Sequence, residues 1–468
     1  MTRYSNKNRK SWRIWGVVIL VLVGLYYVGI RVLPLINRLN TDKILAQSLL
    51  KNKKFAAQVQ QVNSAGLSAY LLEEHSNPIV SIDFEFKNAG RAHEAEKQQG
   101  LTNVLADMLL NGTVSYSAET FKDLSEEYGI KISFRATKDT FSGSLIFPVQ
   151  YKKMAVKLMK ETLLQPRFDE DYLELTKQQL LTALKMSEEH PARVLNDKYA
   201  EFVFEGHPYS RHSIGQKENI AQITAEDLRN FMQSYLAQNN LIIGIAGDIT
   251  TEDTKTLLKD LFGALPQKSF GQDLLPLEII SSGEELNIDK DTAQVIVRFV
   301  TKGTYRNSLD FYPLYMANYI FGASGLSSRL NKNIREKEGL TYGIHTWLDI
   351  NDASALLEGS YSVTPDNFVR AKELLLDEWQ KMANGSVSEK ELQFAKDALV
   401  TSFNLRFSAI DDISAMLLAM QKYRLGIDFL DKRNDYIQSI TVAEVNAAAK
   451  KYFSVMPNFV TIGVKEKK

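Results

Sequence analysis

Asn103 and Asp107 stand four residues apart, with Ala106 between them, in the stretch GLTNVLADMLLNGT at 100–113. On a helix, positions i and i+4 share a face and i+3 lies beside them. That is the spacing at which two His side chains hold a catalytic zinc while a neighbouring Glu activates the metal-bound water. Such a zinc needs three protein ligands and an open water position, and a proton carrier beside it. An amide, a methyl and a lone carboxylate meet neither need, so the geometry of a hydrolytic site is present without its chemistry. Asn103 and Asp107 could hydrogen-bond across one turn or loosely hold a hard cation, but a polar cavity wall is the simpler expectation.

The element that must position these residues is legible. Leu101, Val104, Leu105, Met108 and Leu109 recur at helical spacing and predict an amphipathic helix with one buried stripe, ended by Gly112. Other residues with ligand chemistry are scattered. His93 and Glu96 lie in the charged turn HEAEK with no second His at metal spacing; His207 sits in GHPYS and His212 in a nearby loop. Each is expected to be structural.

The chain has 468 residues, enough for two domains or more, with 56 basic and 56 acidic residues. That balance gives no footprint for a nucleic-acid partner. Cysteine is absent, which excludes disulfides, thiol catalysis, Cys-ligated zinc and palmitoyl or lipoprotein anchoring. Arg3, Lys7, Arg9, Lys10 and Arg13 form a basic tail over 1–13, followed by an apolar run over 14–36 interrupted by Arg31. With no small-residue cleavage site after it, this run predicts an uncleaved transmembrane helix with the tail in the cytoplasm, a cleaved signal peptide being the alternative. The expected protein is single-pass, its body outside the cytoplasm, in the periplasm if the cell is a Gram-negative bacterium. Residues 37–61 read as a charged juxtamembrane spacer.

Beyond the spacer, IVSIDFEF at 79–86 alternates apolar and polar residues as a strand does. Then come the helix at 100–113, a helix at 118–128, strands KISFRA and FSGSLIFP, helices at 150–164 and 170–188, a break at Pro191, a helix at 225–236 and the strand LIIGIAG. The same programme recurs: a strand at 293–300, a helix at 309–321, strands at 342–348 and 354–362, helices at 366–383, 389–406 and 442–453, then FVTIGV. The intervals 79–242 and 295–460 each span about 160 residues, far above the period of a solenoid repeat. The expected fold class is α+β: two duplicated domains, each a mostly antiparallel sheet covered by helices, at 62–265 and 285–468, joined by a linker at 266–284.

The frame GLTNVLADMLLNGT resembles the signature helix of the insulinase-like zinc peptidases, the family of pitrilysin, insulysin and mitochondrial processing peptidase, which carries HxxEH before Gly-Thr. Two further stretches carry the resemblance, GHPYSRHSIGQKENIAQITAEDLRNFMQSYLAQNNLIIGIAGDIT and SSRLNKNIREKEGLTYGI. Laid on the motif, Asn103 replaces the first His, Ala106 the Glu and Asp107 the second His. The family's third ligand, a Glu on a later helix, falls at Ala183 in QQLLTALKMSEEHP. The resemblance therefore implies no metal on this chain. It also implies paired halves that face each other across a closed cavity.

The same resemblance gives Arg335 and Tyr342, seven apart in REKEGLTY, a role: an Arg and a Tyr at this spacing reach toward the peptide at the zinc. Arg brings a permanent charge with several donors and Tyr a phenolic donor on a stiff ring, both suited to gripping a peptide carbonyl and the oxyanion formed from it. Some family members divide the work between two subunits, one bearing HxxEH and one lacking it. This chain resembles the second kind. The expectation is a membrane-anchored non-catalytic subunit that acts in trans on a peptide or unfolded polypeptide, with zinc in an HxxEH-bearing partner. A peptide-binding or scaffolding protein without hydrolysis, and an unorthodox active metallopeptidase, are the alternatives.

Overall fold

The alternation in IVSIDFEF builds β3 (Ile79–Lys87), which buries Val80, Ile82, Phe84 and Phe86 and turns Asp83 and Glu85 to the other face. The computed structural model describes residues 58–464 apart from 280, 406 and 408. Around β3 lie β1 (Gln60–Ser64), β2 (Leu67–Glu73), β4 (Lys131–Ala136), β5 (Thr140–Pro148) and β6 (Leu241–Gly247), in the order β1-β2-β6-β3-β5-β4. Only β2 and β6 run parallel. A second sheet holds β7 (Glu285–Ile288), β8 (Val295–Lys302), β9 (Thr341–Ile350), β10 (Ala355–Val363) and β11 (Asn458–Ile462), ordered β7-β11-β8-β10-β9. Again one pair, β7 and β11, is parallel. Leaving β1 aside, the two sheets have the same order and sense. Because Gln60 pairs with Leu71, the first sheet starts within the segment read as spacer.

The helices that matter here are α1 (Leu101–Met108), α2 (Ala118–Glu127), α3 (Lys152–Leu164), α4 (Glu170–Glu189), α5 (Pro191–Val203), α6 (Lys217–Gln222), α7 (Ala225–Tyr235), α8 (Thr251–Phe262), α9 (Phe311–Asn318), α10 (Phe368–Ala383), α11 (Glu389–Leu405) and α12 (Ile410–Lys422). Pro191 does not only end α4: it occupies the first turn of α5, where its missing N–H is no loss.

The two halves exchange a helix each. Helix α5, from the first half, packs on β8 and β11 of the second sheet. Helix α12, from the second half, packs on β2, β3 and β6 of the first. Gly244 on β6 makes the second contact possible, since a Cβ there would lie 2.2 Å from the Ser414 carbonyl oxygen. Gln421 of α12 donates to the Ser68 carbonyl at 3.2 Å and accepts from the Ile243 N–H at 2.7 Å, and Lys422 pairs with Glu85 at 2.9 Å.

Ser414 donates to Asp83 at 2.5 Å under α12. Burial lifts the Asp83 carboxyl from its ordinary 3.8 to about 6; the Ser414 bond opposes that rise, and the nearby Asp411 and Glu85 charges add to it. Folding therefore takes up a proton in this window, and stability falls as pH climbs from about 4 to 6. Asp83→Asn removes this titration. The expected result, read from urea midpoints, is a gain on the order of 1–2 kcal/mol at pH 7.5 that fades toward pH 4. A gain independent of pH would contradict the assignment.

The expectation of a single-pass membrane protein is corrected: among the described residues, no helix is long and apolar enough to cross a membrane. The longest of them, α4, carries charged residues along its length. The run at 14–36 that raised the expectation lies outside the described residues, as do the tail at 1–13 and positions 37–57.

Candidate functional site

Helix α1 is set by its ends. Glu94, itself buried, accepts from the N–H groups of Gly100 and Thr102 at 2.9 and 2.7 Å and from the Thr102 hydroxyl at 2.6 Å. A carboxylate at a helix N-terminus satisfies orphan donors and complements the helix dipole. Beyond the helix, Gly112 takes the left-handed conformation at φ 92°, and a Cβ there would strike the Tyr116 carbonyl oxygen at 2.7 Å. Leu101, Val104, Leu105, Met108 and Leu109 are buried, as their spacing predicts, and the helix packs on α4, α7 and β4.

The positions of the degenerate motif are filled by other contacts. The Asn103 carboxamide donates to the carbonyls of Ser213 and Ile214 at 2.9 and 3.0 Å, fastening the loop before α6 onto α1. Gly215 lets that loop close in, because a Cβ there would sit 2.5 Å from the Gly100 Cα. Ala106 is buried. Asp107 is exposed, and partial desolvation raises its carboxyl above the usual range. Ala183 is half-buried on α4. A zinc ion does not fit this set: the Asn103 amide is turned to carbonyls, and Ala106 and Ala183 bring no donor atoms. Among the described residues, no group of three His, Cys, Asp or Glu side chains could hold a metal ion.

The histidines have structural surroundings. Burial drops His93 to about 4, so its ring is neutral. His207 accepts from the Tyr209 N–H at 3.2 Å and lies edge-on to the Tyr209 ring. His212, read from sequence as part of an exposed-looking loop, is half-buried; it accepts from the Ile214 N–H at 3.1 Å and meets Asp197 at 2.9 Å. Glu96 opens a short 3-10 turn at the surface. Its neighbour Glu94 is the working carboxylate of HEAEK.

Arg335 lies in a π-helical segment, Asn331–Lys337, and is half-buried. Tyr342 is 86 % exposed on β9, the outer strand of its sheet. The register there slips, with Ile344 opposite Tyr361 but Thr341 opposite Val363, so Tyr342 and Gly343 share the space across from Ser362. Such a bulge re-aims a side chain. Among the described residues, neither side chain has a hydrogen-bond or ion-pair partner. The segment 331–337 packs on β9 and α10, all in the second half, while the principal neighbours of α1 are in the first. No hydrogen bond, ion pair or ring contact joins the two groups among the described residues.

On the first sheet, β4 is also an outer strand, paired only with β5 and flanked by α1.

Comparison with known proteins bears on most of the chain. Residues 70–217 match the family described as Insulinase (Peptidase family M16), and residues 222–399 match Peptidase M16 inactive domain. A Helicobacter pylori protein named Non-peptidase homolog YmxG is 25 % identical over 404 residues, covering 85 % of this chain and 91 % of its own. A crystal structure of a peptidase M16 inactive domain from Pseudomonas fluorescens superposes with a TM-score of 0.81 at 24 % identity, covering 88 % of this chain and 99 % of that one. A protease from Helicobacter pylori gives 0.76 at 16 % identity, over 87 % and 99 %.

Proposed function

Since the chain belongs to the insulinase family of peptidases, M16, we propose that it is the non-catalytic subunit of a heteromeric zinc metallopeptidase, supplying Arg335 and Tyr342 to a partner chain that bears HxxEH. The observation that carries this reading is the contrast between the two halves. In the first, the zinc frame keeps one carboxylate, Asp107, beside two alanines, and Asn103 is committed to loop carbonyls. In the second, Arg335 and Tyr342 stand with their polar atoms unengaged. A name of "non-peptidase homolog" on a relative agrees with a chain that does not cleave peptides alone.

In this reading the repeats at 62–265 and 285–468, joined at 266–284, act as one rigid platform. A partner's zinc would polarise the scissile carbonyl and acidify its bound water. The residues of this chain bind and orient. The Arg335 guanidinium and the Tyr342 hydroxyl donate to the peptide carbonyl and hold it more tightly as negative charge gathers on its oxygen. An extended peptide is the substrate class that suits an outer strand such as β4, because its backbone can complete the unpaired edge.

Analytical ultracentrifugation of this chain with the HxxEH-bearing chain from the same cell tests the pairing. A one-to-one complex is expected; two species that sediment independently at every concentration would overturn it.

A further inference from the structure

Arg335 and Tyr342 sit on different elements, and one buried side chain joins those elements. Asn331 is fully buried at the start of the π-helical segment that carries Arg335. Its Nδ2 donates to the Ile344 carbonyl at 2.7 Å, and its Oδ1 accepts from the Ile344 N–H at 3.4 Å. Ile344 lies two residues beyond Tyr342 on β9. The carboxamide itself is held by Ser328, whose hydroxyl accepts from Nδ2 at 3.1 Å and from the Asn331 N–H at 3.3 Å. A second clamp lies on the other side of Tyr342. The Thr341 hydroxyl donates toward the carbonyls of Gly343 and Ser362 at 3.0 and 2.8 Å and accepts from the Gly343 N–H at 3.2 Å, spanning the bulge.

We infer that Asn331 is a positioning residue, which together with Thr341 fixes the separation and aim of Arg335 and Tyr342; this rests on the pair acting in peptide hydrolysis. An Asn side chain bound to both main-chain groups of one strand residue behaves like an extra strand rung, so it fixes register as well as distance. A π-helical turn places side chains at angles that an α-helix does not, and such turns recur at functional sites. The π turn carries Arg335 and the bulge carries Tyr342, so a shift at either would misplace a donor by a distance that matters for transition-state contact.

The test uses the two-chain complex and a quenched peptide. Arg335→Ala is measured first: no loss of kcat would sink the functional reading itself, independently of Asn331. With that loss in hand, Asn331→Ala is expected to lower kcat about 10- to 30-fold with little change in KM, and to add less than about 2-fold on top of Arg335→Ala, because both changes disable one unit. Wild-type kcat, or a loss that multiplies fully with Arg335→Ala, overturns the inference and leaves the reading intact. Thr341→Val keeps the shape and removes only the hydroxyl, so it serves if Asn331→Ala does not fold. It should lower kcat about 5- to 10-fold in a chain that still folds cooperatively, without adding to Tyr342→Phe. Unchanged kcat in Thr341→Val would likewise overturn the clamp.

Discussion

Arg335→Ala is expected to lower kcat/KM of the proposed two-chain peptidase by about 10²–10³, the loss seen when a donor to a developing oxyanion is removed. The effect should fall on kcat, because the charge on the carbonyl oxygen exists only as water attacks. Arg335→Lys should recover little of it, since an ammonium on a flexible stem does not reproduce the planar fork of donors. Tyr342→Phe should cost about 10-fold or more by the same reasoning. Neither change should move the melting temperature of the isolated chain noticeably, because both side chains lack partners there. A full rate with Arg335→Ala, in a complex shown to be intact, would remove the role assigned to this half.

Glu358→Ala costs about 3–5 kcal/mol of stability, the range for stranding one member of a buried ion pair. Glu358 is 2 % exposed and accepts from Arg298 and from the Tyr199 hydroxyl, both at 2.5 Å. The Arg298 guanidinium also stacks 3.5 Å from the Tyr199 ring centroid and donates to Asn196 at 3.0 Å, while its Nε has no partner. Removing the carboxylate leaves that guanidinium uncompensated. Because Asn196 and Tyr199 come from α5, the loss falls on the seam between the halves. Urea unfolding should show a lower midpoint, with Glu358→Gln losing less because it still accepts a hydrogen bond. A cost below about 1 kcal/mol would mean that the seam is held by its apolar contacts alone.

The parts of this fold legible in the sequence are those with local periodicity. The stripe of α1, the alternation of β3 and the repeated order of strands and helices all reflect burial by a chain's own half. Helices α5 and α12 escaped because their buried faces meet the other half, and those faces are partly polar: Tyr199, Ser414, Gln421 and Lys422 make specific contacts where a core helix would place leucines. Pro191 misled in the same region, reading as a stop where it is also a start. At the site, the identities at 103, 106, 107 and 183 could be read from the frame, but the partner of Asn103 is a loop 110 residues away, which no spacing encodes. Glu94 was hidden by more conspicuous neighbours in HEAEK. The Tyr342 bulge and the Asn331 clamp depend on strand register, a tertiary property.

The most direct measurement is cleavage of a quenched, unstructured peptide by this chain alone, by the HxxEH-bearing chain alone, and by both together, with and without a zinc chelator. No cleavage is expected from this chain alone, and chelator-sensitive cleavage well above the partner's own rate is expected from the mixture. Chelator-sensitive cleavage by this chain alone would contradict the non-catalytic assignment.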